Sequence, residues 1–277
     1  MITYGNYEGY NYQPPEICPV SIERKQERFD RELEEMGIRI KDADQMKVRE
    51  DVFDDVTLLT LYRLVHKKWI SVVGGSISTG KEANIFYGER EGTPIAIKIY
   101  RIRTANFTTM SDYIRGDRRF ANVKKNRKDL IFAWTKKEFS NLARAREAGV
   151  PVPEPFVFDR NILVMSFIGE GEHPFPQLRN AAMTDPGSVY GEVTGYIRTL
   201  YTKAELVHAD LSEFNILYGD QPYIIDMGQS VTRDHPRALA FLMRDIKNIN
   251  RFFKGRCVVR GDEELFNAIT GLDTAEP

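Results

Sequence analysis

The stretch from Leu206 to Asp226 constrains the fold more than any other part of the chain. It contains Asp210, then Asn215 five residues later, and after eleven more residues Asp226, which ends an apolar run. A short apolar run that stops at a carboxylate is typical of a buried strand with a polar group at its end. The spacing therefore predicts a loop followed by a strand, with three oxygen-bearing side chains at their ends.

These three side chains are the groups that phosphoryl transfer from ATP requires. Asp210 is placed to orient the attacking hydroxyl as the catalytic carboxylate, while Asn215 and Asp226 are placed to hold Mg²⁺. Mg²⁺ takes oxygen ligands and keeps several waters, so one Asn and one Asp beside the phosphates suffice, and Mn²⁺ is a possible substitute. The alternative is that Asp210 and Asn215 only form turns between two strands. The Asp at the end of an apolar run favours the first interpretation, an ATP-using kinase.

Composition narrows the classes of protein that fit. The 277 residues are 42% hydrophobic and 29% charged, enough apolar material for one large domain or two lobes. A net charge of −1 argues against polyanion binding through bulk charge. Cys18 and Cys257 lie far apart without metal-ligand spacing, and the chain has no run of 18 apolar residues. We expect a cytoplasmic protein with two reduced thiols and no membrane contact.

A lysine stands inside the apolar stretch Thr93–Tyr100. An unpaired buried ammonium is costly, so Lys98 is predicted to contact nucleotide phosphates and a Glu on the following helix. Glu138 is the most plausible partner, on a helix that we expect from about Trp134 to just before Gly149. The alternative is an edge-strand lysine whose ammonium extends to solvent.

The glycine-containing stretch Gly75–Lys81 fits the start of a P-loop, G-x-x-x-x-G-K. Two features oppose that interpretation: Glu82 stands where the Mg²⁺-binding Ser or Thr belongs, and residues 83–87 have the pattern of a strand where a P-loop opens a helix. A strand–loop–strand that covers the triphosphate fits better, with Ser78 and Lys81 as donors. Without G-x-G-x-x-G, this loop alone is a weak signal.

Residues 161–169 have the pattern of a buried strand that leads into a short connector. In a kinase, the main-chain groups of such a connector bind the adenine edge. By position, Met165 would guard the pocket, and Ser166 and Ile168 would offer main-chain groups. A core strand without a ligand is the alternative.

The segment 101–128 is strongly basic on an otherwise neutral chain. It holds nine Lys or Arg residues against two Asp residues, an excess of seven positive charges, and its aromatic residues are Phe107, Tyr113 and Phe120. Basic charge with interleaved rings is typical of a nucleic-acid contact, in which bases stack on the rings. A solvated, flexible loop is the alternative, and the sequence leaves both open.

Three segments together resemble the RIO family of atypical serine/threonine protein kinases. They are the loop Ser78–Asn84 (S-T-G-K-E-A-N), the stretch His208–Asn215 (H-A-D-L-S-E-F-N) and the ending Ile225–Val231 (I-D-M-G-Q-S-V). The first and last favour the Rio1 subfamily over Rio2, which carries a different phosphate loop and an N-terminal winged helix. The likeness runs from about residue 51 to residue 253, and a short chain without long charged tails resembles archaeal members.

The resemblance implies an α+β, two-lobed protein-kinase-like fold, with a small N-lobe β-sheet plus a helix and a mostly helical, truncated C-lobe. The expected parts are a leader with a charged helical extension (1–50), the N-lobe with the flexible basic loop (51–165), the C-lobe (166–254) and a tail (255–277).

The resemblance also implies residue roles. Asp210 would be the catalytic carboxylate, and Asn215 and Asp226 would hold the metal. Lys98 would contact phosphate, with Ser166 and Ile168 at the adenine. For some members an aspartyl-phosphate on the metal-binding Asp is proposed, which here would fall on Asp226.

The implied function is an ATP- and Mg²⁺-dependent serine/threonine kinase or ATPase that acts in maturation of the small ribosomal subunit. Its partner would be the precursor particle or its rRNA, contacted through the basic segment 101–128. The alternative is an RNA- or ribosome-binding scaffold whose nucleotide pocket is vestigial or only a switch.

Two departures from kinase patterns matter. Asp226-Met227-Gly228 differs from Asp-Phe-Gly, so the in/out switch that ordinary kinases build on the Phe is not expected. Ser166 stands where we expect an acidic residue in the family's connector. Adenine recognition there uses a main-chain carbonyl, so nucleotide binding should persist.

Overall fold

The computed structural model describes residues 54–102, 110–111, 113–114, 116–120, 123 and 126–271. The predicted leader and charged extension, residues 1–50, lie outside these ranges. The described part has the predicted α+β fold, with an antiparallel sheet followed by a mostly helical region. In these ranges no helix combines the length and the apolarity needed to cross a bilayer.

The N-lobe is built on a five-stranded antiparallel sheet with the order β1-β2-β3-β5-β4. Its strands are β1 (Val72–Thr79), β2 (Ala83–Arg90), β3 (Thr93–Tyr100), β4 (Pro155–Asp159) and β5 (Ile162–Ser166). The central strand β3 is rich in β-branched residues that favour strands, and Ile95, Ile97 and Ile99 are fully buried. Since side chains alternate along a strand, Lys98 points to the opposite face from these three.

Two helices belong to this lobe. α1 (Asp55–His66) starts at Asp54, whose carboxylate accepts a hydrogen bond from Thr57 N at 2.9 Å. α2 (Arg127–Glu147) starts at the N-cap Asn126 and ends before Gly149, whose φ of +88° suits glycine. Because Asn126 caps the helix earlier than expected, residues 127–128 of the predicted basic loop form the first turn of α2.

The C-lobe is mostly helical. Its elements are α3 (Pro186–Thr202), α4 (Ala238–Phe253) and α5 (Asp262–Thr270), with the strand pairs β6 (Gly169–Glu170) and β7 (His173–Pro174), β8 (Leu206–Val207) and β11 (Val231–Thr232), and β9 (Ile216–Tyr218) and β10 (Pro222–Ile224). The apolar stripes of the three helices share one core. Part of the expected tail 255–277 is an ordered helix, α5. It buries Leu265 and Ile269 in that core, which corrects the expectation for residues 262–270.

The described residues of the basic segment 101–128 include two of its aromatic rings, and both pack against other residues of the protein. Phe120 is buried in a second core cluster formed with α2. Tyr113 stacks on Phe241 of α4, with the ring centroids 5.4 Å apart. The prediction that nucleic-acid bases stack on these rings therefore does not hold for Tyr113 and Phe120, and Phe107 lies outside the described residues.

Candidate active site

A buried lysine in the centre of β3 joins the sheet, α2 and the C-lobe. Lys98 is only 5% exposed, and its Nζ donates to Glu138 Oε1 at 2.7 Å and to Asp226 Oδ1 at 2.9 Å. The hydroxyl of Tyr100, two residues along the same face of β3, donates to the other oxygen of Glu138. Two carboxylates thus satisfy an ammonium that the apolar strand would otherwise leave unpaired.

These charges shift one another's pKa values. Burial alone would lower the pKa of Lys98, but Asp226 and Glu138 reverse this effect and raise it well above the ordinary value. Lys98 in turn lowers the pKa of Asp226, whereas burial raises the pKa of Glu138 against the opposing effect of Lys98. Lys98 is therefore a cation and Asp226 an anion at neutral pH.

A hairpin explains the eleven-residue spacing between Asn215 and Asp226. β9 and β10 pair antiparallel with Ile216 opposite Ile224, and Ile225 N donates to Asn215 O at 3.0 Å. The chain thus returns to the level at which the hairpin began. Asn215 and Asp226 consequently lie at the same end of the hairpin.

Asp210 reaches this place from the loop before β9. Its Oδ2 accepts a hydrogen bond from Gln229 Nε2 at 3.2 Å and a long one from Asn215 Nδ2 at 3.5 Å. Burial raises the pKa of Asp210, and the negative charge of Asp226 raises it further. A carboxylate whose pKa is raised toward neutral pH is a better proton acceptor for a hydroxyl group.

Comparison with known proteins agrees with this arrangement. The RIO domain profile matches residues 84–266. The RIO-type serine/threonine-protein kinase Rio1 of Haloferax volcanii is 40% identical over 269 residues, which cover 96% of this chain and 92% of that protein. The chain belongs to the RIO family of serine/threonine protein kinases. Rio1 of Methanocaldococcus jannaschii is 38% identical over 261 residues, with 93% and 90% of the two chains covered.

Three further comparisons involve proteins that are longer or less similar in sequence. Human serine/threonine-protein kinase RIO1 is 40% identical over 257 residues, but this chain spans only 45% of its length. The crystal structure of the Rio2 kinase from Chaetomium thermophilum superposes with a TM-score of 0.61 at 27% identity, covering 88% of this chain and 77% of that one. Its complex with ADP/Mg²⁺ and phosphoaspartate gives a TM-score of 0.57 at 26% identity, covering 76% and 65%.

The connector after β5 of this RIO kinase is bonded to β4 at Ser166, whereas the N–H of Ile168 has no partner among the described residues. Ser166 N donates to Glu154 O, and the Ser166 hydroxyl accepts from Glu154 N, both at 2.8 Å, so this serine fastens the connector to β4. Ile168 O accepts from Phe175 N at 3.1 Å, while Ile168 N–H makes no hydrogen bond to any described residue. Ile168 N–H is thus available for an adenine edge, and the adenine roles of Ser166 and Ile168 remain predictions.

The strand–loop–strand over the predicted phosphate site is present as β1, a short turn and β2, so the helix that a P-loop requires after Lys81 is absent here. Asn84, at the end of the S-T-G-K-E-A-N stretch, is fully buried and accepts from Arg101 Nε at 2.8 Å, which fixes the turn. Ser78 near the end of β1 and Lys81 on the turn are exposed, and within the described ranges their side chains form no hydrogen bond. Their contact with phosphate remains a prediction.

Sequence reasoning missed the residues that hold the loop around Asp210. Asp245 of α4 is buried, and its carboxylate accepts hydrogen bonds from Ala209 N at 2.8 Å and from Leu211 N at 2.9 Å, on both sides of Asp210. Arg244 donates to Ala209 O. Ala209 has a φ of +66°, which is uncommon for a residue other than glycine. Asp245 stands on the apolar stripe of α4, and a polar residue in such a stripe is the signal that points to a buried partner.

Asn215 and Asp226 fit a Mg²⁺ ion that phosphates and water help to bind. Among the described residues no group of three or more His, Cys, Asp and Glu side chains could hold a metal alone. Asn215 Nδ2 donates to Asp210 O at 2.8 Å, which leaves Asn215 Oδ1 for a metal. Asp226 uses Oδ1 for Lys98, and its side chain is 50% exposed. Two protein oxygens are typical of Mg²⁺ sites that nucleotide phosphates complete.

Proposed function

We propose that this RIO kinase transfers the γ-phosphoryl group of ATP in a Mg²⁺-dependent reaction, to a serine or threonine hydroxyl or to water. The observation that carries the proposal is the bonding of Lys98, which is shared between Glu138 and Asp226. Kinases use this arrangement to fix a lysine against the α- and β-phosphates. A lysine with only a structural role in the sheet would not need a second carboxylate that comes from the other lobe.

Asp210 is the general base of the proposed reaction. It orients the attacking hydroxyl or water and takes its proton while the new oxygen–phosphorus bond forms and the bond between the γ-phosphorus and the β-phosphate oxygen breaks. Lys98 stabilises the negative charge on the phosphates, and Asn215 and Asp226 would hold Mg²⁺. When bound, Mg²⁺ supplies further neutralisation of that charge.

The nucleotide is bound by the N-lobe in this proposal. Ser166 C=O and Ile168 N–H take the adenine edge, and Ser78 near the end of β1 and Lys81 on the following turn cover the phosphates. Mn²⁺ is proposed as a substitute for Mg²⁺ because both are hard, oxygen-preferring cations.

A covalent form of the reaction is also proposed. One oxygen of Asp226 would attack the γ-phosphorus, ADP would leave, and water would later hydrolyse the aspartyl-phosphate. The ADP/Mg²⁺-phosphoaspartate complex of Chaetomium thermophilum Rio2 supports this by analogy. A hydroxylamine-sensitive label from [γ-³²P]ATP is expected on wild type and absent in Asp226→Asn. A label that persists in that variant contradicts the covalent form.

A single-turnover reaction with [γ-³²P]ATP and Mg²⁺ tests the main proposal. Asp210→Ala is expected to lose about 10²–10⁴-fold in phosphate release or transfer, because it removes the general base. Asp55→Ala, an exposed Asp on α1, is the matched control and should keep the wild-type rate. Equal rates in wild type and Asp210→Ala would contradict the proposed role of Asp210.

The proposed cellular setting is maturation of the small ribosomal subunit in the cytoplasm, with the precursor particle or its rRNA as partner. The seven-charge excess of the segment 101–128 supports a contact with phosphate-rich RNA. Adding purified small-subunit particles to the same reaction should therefore stimulate turnover. Nucleotide binding without turnover, with or without particles, would favour the alternative of a scaffold with a vestigial pocket.

A further inference from the structure

Helix α2 holds the segment 227–230, directly after the proposed metal-binding carboxylate, through two buried side chains. Lys137 Nζ donates to Gly228 O at 2.8 Å and also to Ser230 O. Asn141 Nδ2 donates to Met227 O and to Ser230 O, at 2.9 Å each. Lys137 and Asn141 are both 0% exposed. Three carbonyl groups of one short segment thus receive hydrogen bonds from successive turns of one helix.

The bonding of Lys137 is unusual for a buried lysine. Such a residue is rare in protein interiors unless its ammonium has a charged partner. Within the described ranges Lys137 forms no ion pair, and its partners are the two carbonyls and the ring of Trp134, 5.3 Å from Nζ. Burial lowers the pKa of Lys137 to about 7, and the ammonium and the neutral amine can both donate these two bonds. Its position therefore depends on the segment 227–230 rather than on a carboxylate.

The backbone of Asp226 explains what this support is for. Asp226 has a φ of +62°, a left-handed conformation that a non-glycine residue keeps only when its surroundings enforce it. The segment that follows is also packed closely on α2, since a Cβ added to Gly228 would lie 2.9 Å from Trp134 Nε1. Hydrogen bonds and packing from one helix therefore fix the main chain just beyond Asp226.

We propose that Lys137 and Asn141 are positioning residues, which hold the main chain after Asp226 so that its carboxylate faces the metal–nucleotide site. This inference rests on the proposed function, because Mg²⁺ with a nucleotide is what Asp226 is to bind. Neither side chain touches Asp226 or the site itself; each acts through the carbonyls of the segment 227–230. Residues that orient a metal ligand in this way commonly contribute about 10–100-fold to metal affinity or activity.

The basic segment 101–128 takes part in this support. Arg119 Nη2 donates to Asn141 Oδ1 at 2.9 Å, which turns the Asn141 amide so that its Nδ2 faces the carbonyls. Asp117, 1% exposed, binds Arg119 through Nε at 2.9 Å and through Nη2 at 2.6 Å. The chain of contacts therefore runs from a buried aspartate of the basic segment to the main chain beyond Asp226.

Two variants remove the donors with little change in shape. Lys137→Met keeps the aliphatic stem but has no ammonium. Asn141→Asp keeps an oxygen for Arg119 and places a second oxygen, which cannot donate, against the carbonyls. Lys136→Met is the matched control, because Lys136 is the exposed neighbour on the same helix. Leu265→Ala is a second control, which lowers stability through the C-lobe core from α5 and keeps both donors of α2.

The measurements use the full chain and ADP as the probe. Isothermal titration gives the ADP affinity with and without Mg²⁺, and hydrogen exchange reports the amides of residues 226–231. We expect the gain in affinity on adding Mg²⁺ to fall about tenfold or more in Lys137→Met and Asn141→Asp. Affinity without Mg²⁺ should stay at the wild-type value, and exchange should rise at residues 226–231. Both controls should show the wild-type Mg²⁺ gain and exchange at these amides.

A folded Lys137→Met protein with the wild-type Mg²⁺ gain and exchange overturns the proposal. If Lys137→Met does not fold, Asn141→Asp decides alone, since a reduced gain supports the proposal and an unchanged gain overturns it. A wild-type protein without any Mg²⁺ gain overturns the proposed function instead. In that case exchange decides the positioning role: a rise confined to residues 226–231 in the variants supports it, and no rise overturns it.

Discussion

Two loops of the candidate site are held by different sets of main-chain hydrogen bonds. Each contains a non-glycine residue with positive φ: Ala209 at +66°, directly before Asp210, and Asp226 at +62°. The first loop presents both kinds of main-chain group to α4: the carboxylate of Asp245 accepts from two N–H groups, and Arg244 and Asn248 donate to the carbonyls of Ala209 and Leu211. The second turns carbonyl groups toward α2, where Lys137 and Asn141 donate to them.

The difference follows from the main chain. Each peptide unit offers one donor and one acceptor. The first loop presents donors and acceptors of Ala209 and Leu211 to its helix, whereas the second presents only carbonyls of residues 227–230 to Lys137 and Asn141. A buried carboxylate is the complement of N–H groups, and a lysine with an amide is the complement of carbonyls. α4 belongs to the C-lobe and α2 to the N-lobe, so each lobe holds one loop.

The largest effect is expected where the carboxylate is removed. Asp245→Ala leaves two buried N–H groups without an acceptor, and we expect it to lower the free energy of unfolding by about 3–5 kcal/mol. Turnover should fall with it because Asp210 lies between the two bonds. Asn248→Ala is the control on the same helix; it removes one bond, to Leu211 O at 3.1 Å, and should cost about 1 kcal/mol. Equal losses in urea unfolding would contradict the special role of Asp245.

The second loop can be disturbed by one added carbon atom. In Gly228→Ala the Cβ would lie 2.9 Å from Trp134 Nε1 and 3.3 Å from the Tyr100 hydroxyl, so α2 and the segment must separate. We expect a loss of about 1–3 kcal/mol and reduced Mg²⁺-dependent nucleotide binding. Gly191→Ala in α3, where the added Cβ meets nothing within 4 Å, is the matched control and should stabilise by up to about 1 kcal/mol. A neutral Gly228→Ala would show that the contact with α2 is loose.

The sequence predicts the fold and the candidate site well where polar residues interrupt apolar runs at motif spacing. Lys98 inside a strand and Asp226 at the end of one are visible for this reason, and so are the kinase-like fold and the family. The structure brings Lys98, Glu138, Asp210, Asn215 and Asp226 into one region, although their catalytic roles stay predictions. A charged residue in an apolar strand, such as Lys98, needs a partner of opposite charge from elsewhere in the chain, and the kinase motifs point to Glu138 and Asp226.

The supports could not be predicted in the same way. Lys137 and Asp245 bond to main-chain groups, which have no sequence signature, at positions 91 and 36 residues away. Their only signal is that each stands on the buried stripe of an amphipathic helix. The inward turn of Tyr113 and Phe120 was missed for a related reason, because aromatic rings in a basic segment look the same whether they face the core or solvent.

Asp245 and Lys137 also differ in how they make the free energy of unfolding depend on pH. Burial raises the pKa of Asp245 to about 7. Between pH 4 and 7 the folded chain therefore holds a proton on Asp245 that the unfolded chain lacks. The free energy of unfolding falls as pH rises through this range. Burial lowers the pKa of Lys137 to about 7, so between pH 7 and 10 the unfolded chain holds the extra proton, and stability rises with pH. Each slope is at most about 1.4 kcal/mol per pH unit.

Unfolding free energies against pH for wild type, Asp245→Asn and Lys137→Met check these slopes. The difference between wild type and Asp245→Asn should fall from pH 4 to 7 and then level off. The difference between wild type and Lys137→Met should be level below pH 7 and rise above it. Flat difference curves would show that these groups titrate alike in the folded and unfolded chains, and the two supports would then differ only in bonding geometry.

The variant with the smallest expected effect tests whether the Ala209 side chain or the bonds to α4 determine the conformation of the first loop. Ala209→Gly removes the cost of a positive φ, but it also deletes a fully buried methyl group and makes the unfolded chain more flexible. These terms oppose each other, so the free energy of unfolding should change by less than about 1 kcal/mol. If Asp245 holds the loop, kcat should stay near the wild-type value, since both N–H bonds survive the change. A large drop in kcat with unchanged stability would mean that the Ala209 side chain restricts the loop, and that the first loop, unlike the second, is not set by its helix alone.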